Sequence, residues 1–163
     1  MTTVTVRSGT DPGSREKIAE TAVTAFFVAY QAHDVEHMVD LCTEGAGFRY
    51  VPFEVWGRQR VLHGEGTVRT VGKLIWTALI DAFPDLTNAV TSLRADADGN
   101  AAAEVSVGGT QARAFGGIAC TGQRYRLPHL FLFRVTGGGL IDDIVAYWDN
   151  VAWKMQLGCR EVD

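Results

Sequence analysis

Two stretches in the C-terminal half constrain the fold more than anything before them. "NAVTSLRAD" and "AAAEVSVGGTQARAF" flank the turn "ADGN", and "QRYRLPHLFLFRV" and "LIDDIVAYWD" flank "TGGG". Runs rich in β-branched and aromatic residues, separated by short Gly/Asp/Asn turns, predict two antiparallel hairpins. Four long strands in sequence form a meander, and its apolar face needs a second layer.

The preceding residues supply that layer. From Ser14, placed as N-cap, Ile18, Ala22, Ala25, Phe26 and Ala29 recur at helical spacing to about Gln31. Asp34 is placed to cap a short second helix, "VEHMVDLCTE", stopped by Gly45, after which "GFRYVPF" reads as a strand. "EVWGRQRVLHGEGTVRT" is expected to be a loop. In "TVRTVGKLIWTALIDAF" the residues Val68, Val71, Leu74, Ile75, Ala78, Leu79 and Phe83 form one stripe ending before Pro84, a third helix of about four turns. Residues 1–13, with Gly9, Pro12 and Gly13 and no apolar pattern, are expected to form a tail, and 14–163 one domain. The expectation is an α+β fold whose N-terminal helices pack on a strongly curved, mostly antiparallel sheet enclosing a pocket.

Charge and cysteine usage narrow the partners. With 15 Lys+Arg against 19 Asp+Glu the net charge is -4, and no stripe of basic residues tracks a phosphate backbone, so nucleic acid is not expected. No stretch approaches about 18 uninterrupted apolar residues, so no membrane span is expected, and the chain is read as cytoplasmic. Cys42, Cys120 and Cys159 have neither a disulfide framework nor C-x-x-C spacing, and His33, His37, His63 and His129 lack a well-spaced third ligand. No Gly-rich phosphate loop opens a helix. Neither metal nor cofactor is expected.

The order of elements, with "AFPDL" at 82–86, "DGN" at 98–100, "GT" at 109–110, "FGGIACTGQRY" at 115–125, "FRV" before a glycine turn, "GLIDD" at 139–143, then Asp149 and "QLG" at 156–158, resembles the SnoaL-like polyketide cyclases of the nuclear transport factor 2-like superfamily. The likeness runs from about residue 15 to 158. It implies a cone-shaped fold, a homodimer, and a hydrophobic small-molecule substrate. It also implies cofactor-independent chemistry: intramolecular aldol closure, or a related acid/base cyclisation or isomerisation. A non-catalytic binding protein, or a hydrolase or dehydratase using the same pocket, is the alternative. The resemblance casts Asp149 as the general acid/base. The sequence departs from it at Gln111, where many relatives have histidine after "GT", and at Arg134. Phe115 and Gly117 stand near the Arg and Asp that an epoxide-hydrolase triad needs, which disfavours that reaction.

The residues themselves carry a parallel reading. Pairing through "TGGG" is expected to put odd positions 127–133 on one face with 143, 145, 147 and 149, so that His129 lies opposite Tyr147 and beside Asp149. Phe131, Phe133 and Trp148 would wall the site. Desolvation there would raise the Asp149 pKa toward 7 at a cost of roughly 4 kcal/mol. Asp149 as a plain helix cap, and His129 satisfied by a nearby backbone group, are the open alternatives. Tyr50, Trp56, Trp76, Phe131, Tyr147 and Trp148 are the candidate substrate contacts, being flat apolar surfaces for a flat ligand.

Overall fold

The computed structural model describes residues 12–53 and 64–159. Four helices, one π turn and six strands follow in the order α1 (Pro12–Gln31), α2 (Val35–Asp40), β1 (Cys42–Phe53), β2 (Gly64–Thr67), a π turn (Val68–Gly72), α3 (Lys73–Ala82), β3 (Thr87–Ala95), β4 (Asn100–Thr110), β5 (Arg124–Val135), β6 (Ile141–Asp149) and α4 (Asn150–Gln156). The strands form one curved sheet in the order β2-β1-β6-β5-β4-β3, antiparallel throughout except for the parallel β1–β6 pair. Both expected hairpins are present. Gly99 holds φ +88°, where a side chain would be strained and would press on the Val135 carbonyl. Arg15 Nη2, from the first turn of α1, donates to the carbonyls of Asp98 and Val135 and ties the helix to that end of the sheet.

Several expectations shift. Helix α1 begins at Pro12, so Ser14 lies within the helix instead of capping it; proline suits a first helical position because its missing N–H has no intrahelical partner there. Asp34 does cap α2, accepting from the His37 amide at 3.0 Å. The helix then stops at Asp40, since Cys42 is already paired with Ile141 of β6; cross-strand pairing wins over helix propensity, and the bulge between Cys42 and Gly47 absorbs Gly45. Glycine-rich 64–67, expected as loop, is edge strand β2, with Gly64 opposite Tyr50 and lying under the Tyr50 ring. Strand β4 ends at Thr110, five residues short of the expected Phe115, where Asp85 accepts from both the Thr110 amide (2.6 Å) and hydroxyl (2.8 Å).

The third helix starts as a π turn, which carries one extra residue per turn and rotates the apolar stripe. Leu74 is accordingly 70% exposed while Trp76 is buried. Helix α1 lays Phe26, Phe27 and Tyr30 onto the sheet, and Phe26 meets Trp76 and Phe133 edge-on at 5.5 Å. Among the described residues no helix is long and apolar enough to cross a membrane.

The largest correction concerns β5 and β6. Arg134 pairs with Asp143 but Val135 with Ile141, so Asp142 is bulged, and every pair beyond it moves by one residue: His129 faces Trp148, Phe131 faces Ala146, and Leu130 faces Tyr147. The odd positions of β5 therefore share their face with 144, 146 and 148. Tyr147 and Asp149 point to the opposite side of the sheet from His129.

Candidate active site

An aromatic cavity of about 190 Å³ lies between the concave sheet face and the helices. Each element contributes. Tyr30 comes from the end of α1, which is fixed by His33: this residue adopts a left-handed φ of 59° and its Nε2 donates to the Leu86 carbonyl at 2.7 Å. Strand β1 supplies Phe48 and Tyr50, α3 supplies Ile75, Trp76 and Leu79, β4 supplies Val107, and the β4–β5 loop supplies Phe115. Strand β5 gives Tyr125, His129 and Phe131 on its inward alternation; β6 gives Trp148 and α4 gives Trp153. No charged side chain is among these residues.

Four of these rings, with Phe133 as a fifth, form a ladder across β1, β6 and β5. Tyr50 lies 5.9 Å from Trp148, Trp148 5.8 Å from His129, His129 6.1 Å from Phe131 and Phe131 6.2 Å from Phe133, with interplanar angles between 17° and 28°.

Among the described residues His129 is the one imidazole lining the cavity. Its Nδ1 lies 3.3 Å from the Leu127 carbonyl. A carbonyl can only accept, so Nδ1 carries the proton and Nε2 keeps a lone pair. Leu127 and Pro128 sit just past the last β5–β6 pair, which is how a proline is tolerated in an interior strand. Burial among the rings holds the imidazole well below its usual range, at about 4, with the Leu127 contact opposing only weakly. It is neutral at physiological pH. Tyr30 and Tyr125 are both 2% exposed and line the cavity. Burial raises both phenols above their ordinary range, so both remain donors. Among the described residues the cavity thus brings a neutral acceptor together with buried O–H donors.

Of the residues expected to line the site, Tyr50, Trp76, His129, Phe131 and Trp148 do so. Tyr147 and Asp149 instead border an open groove on the outer sheet face with Thr91, Glu104, Arg126, Leu130 and Leu132. The Asp149 carboxylate caps α4, accepting from the Ala152 amide at 2.9 Å. Trp56 and His63 lie outside the described residues. Tyr30, Tyr125, Phe115 and Trp153 were not singled out from sequence. Tyr125 had a usable signal, sharing the alternation of 127, 129 and 131; Tyr30 had only the helical spacing from Phe26. Among the described residues no three His, Cys, Asp or Glu side chains gather as a metal site.

Comparison with known proteins agrees with this architecture. IdmH of Streptomyces antibioticus, a proposed polyketide cyclase, superposes with a TM-score of 0.66 at 25% identity, covering 86% of this chain and 98% of that one. A proposed SnoaL-like polyketide cyclase of Jannaschia sp. CCS1 gives 0.71 at 18% identity, covering 94% and 100%. A proposed polyketide cyclase of Pseudomonas putida KT2440 gives 0.68 at 22%, covering 86% and 98%. No curated protein matches the sequence. The family model for the SnoaL-like domain matches residues 23–144, well over half of the sequence, and the chain therefore belongs to the SnoaL-like domain family.

Proposed function

We propose that this protein is a cofactor-independent acid/base enzyme of the polyketide cyclase kind, enolising a hydrophobic carbonyl compound in the aromatic cavity. His129 Nε2 takes a proton from the carbon beside the carbonyl. The C–H electron pair becomes the enolate double bond, and the carbonyl π pair moves onto oxygen, where Tyr30 and Tyr125 donate to it. Attack of that enolate on a second carbonyl of the same molecule closes a ring. The proton on Nε2 then passes to the new alkoxide, so the reaction is an isomerisation overall and needs no oxidant or co-reactant.

The single observation carrying this reading is the Nδ1 contact with the Leu127 carbonyl, which leaves Nε2 as the free acceptor in an aromatic cavity. A histidine with its pKa near 4 is a weak base. Protonating it costs about 3 kcal/mol more than an ordinary imidazole. One well-placed oxyanion donor contributes about 3 kcal/mol, so two phenols offset that deficit, and a carbon acid flanked by two carbonyls is the favoured substrate. In this reading Asp149 holds α4, and through it Trp153, in place.

The test is hydrogen–deuterium exchange at the acidic carbon of 2-acetylcyclohexanone, followed by NMR above the buffer rate. The wild type accelerates exchange, and His129→Gln lowers that acceleration by about 10²-fold or more. Full acceleration in His129→Gln refutes the assignment.

A second reading, a binding protein without chemistry, is favoured by the lack of any carboxylate among the described cavity residues. We further propose a homodimer through the outer sheet face, where Leu130 and Leu132 are each 38% exposed, and a cytoplasmic setting in secondary metabolism.

A further inference from the structure

The cavity also limits what can enter it, and the limits come from volume, charge and hydrogen bonding independently. Its volume of about 190 Å³ is below the roughly 300–1,000 Å³ of ordinary ligand pockets. A dry cavity of about 150 Å³ holds one benzene molecule, so this one holds a single ring with a short substituent. Charge is excluded for a separate reason. Among the described residues the lining carries only neutral polar groups and no cation, so an anion would leave water unpaired, and such a transfer is costly. Tyr30 and Tyr125, each 2% exposed, are offered no acceptor by an oxygen-free guest.

We infer that the cavity takes a neutral, single-ring compound of about eight to ten non-hydrogen atoms carrying a hydrogen-bond-accepting oxygen, instead of a polycyclic polyketide. This rests on the enolisation reading only for the site, not for the chemistry. Tyr30 and Tyr125 are then specificity-determining: they hold the oxygen of the bound ring.

Four probes separate the three limits. Acetophenone is a one-ring neutral ketone; benzoate is its anionic counterpart in size; ethylbenzene lacks the oxygen; anthrone is a three-ring ketone. The readout is the shift of the indole N–H signals of Trp76, Trp148 and Trp153 in the NMR spectrum. Acetophenone moves all three saturably, while benzoate and anthrone bind at least tenfold more weakly. Removing both hydroxyls, Tyr30→Phe with Tyr125→Phe, weakens acetophenone at least fivefold and leaves ethylbenzene unchanged; that last result also shows that the variant is folded. Anthrone or benzoate binding as tightly as acetophenone overturns the inference, as does an acetophenone affinity indifferent to the two hydroxyls. The two proposals fail separately. Selective acetophenone binding without any exchange of 2-acetylcyclohexanone sustains the ligand class and removes the chemistry. Accelerated exchange of anthrone in preference to one-ring ketones sustains the chemistry and removes the ligand class.

Discussion

Lowering the pH should unfold this protein through His129, and the size of the effect follows from its surroundings. In the unfolded chain the imidazole titrates near 6.5; among Phe131, Trp148 and the phenols it titrates near 4. The unfolded state therefore binds the proton first as pH falls. The stabilisation is complete above about 6.5, declines through the window from 6.5 to 4, and is flat below it. At about 1.4 kcal/mol per unit the loss is about 3 kcal/mol, an upper figure because the ring keeps some access to the cavity. Carboxylates titrate near the bottom of the same window, so the wild type alone is not diagnostic. The measurement is urea unfolding at intervals from pH 8 to pH 4 for the wild type and His129→Gln, taking their difference at each pH. Glutamine is neutral throughout, and the tyrosines sharing the cavity do not titrate in this range. The difference should move by about 2–3 kcal/mol against the wild type on acidification. A difference constant to within about 0.5 kcal/mol would mean that the imidazole is solvated in the fold, and the neutral-acceptor argument would fall with it.

Two further substitutions probe the frame around the cavity. Asp149→Asn should keep the α4 cap and the exchange activity, whereas Asp149→Ala should lose about 1 kcal/mol in denaturant unfolding; abolished exchange in the asparagine variant would return the acid role to Asp149. Gly64→Ala places a methyl group against the Tyr50 ring, so it should drive Tyr50 off Trp148, cost about 1–3 kcal/mol and weaken acetophenone binding, with unchanged thermal unfolding and affinity as the contrary result.

The hairpins were legible because their turns are chemically explicit: Gly99 at φ +88° and Gly139 at +84° are positions where sequence and backbone geometry coincide. Inward alternation along β5 also identified His129 and Phe131 as cavity residues. What the sequence did not carry was a single bulge. Nothing in "GLIDDIV" distinguishes Asp142 as the unpaired residue, since Asp143 is an equal candidate, and that one position decides whether Asp149 or Trp148 looks inward. Cys42–Gly45 failed for a related reason: its strand state is imposed by Ile141, about a hundred residues away. The aromatic composition of the site was readable from local pattern. The phenol pair was not, because Tyr30 and Tyr125 meet only through the packing of α1 over the sheet.

The parallel pairing of β1 with β6 has a consequence in time as well as space. Strand β1 is complete at Phe53, yet its interior neighbour ends at Asp149. At translation rates of 5–20 residues per second, β1 waits on the order of 5–20 s beside only a four-residue edge strand before the ribosome delivers its partner. During that interval Phe26 and Phe48, both buried in the finished molecule, have no floor to pack on. The β1–β6 seam is thus the most non-local of the sheet, which makes folding slow and leaves the nascent chain adhesive. A protein built this way depends on its surroundings during synthesis, and its yield should respond to expression temperature and chaperone supply more than its final stability suggests.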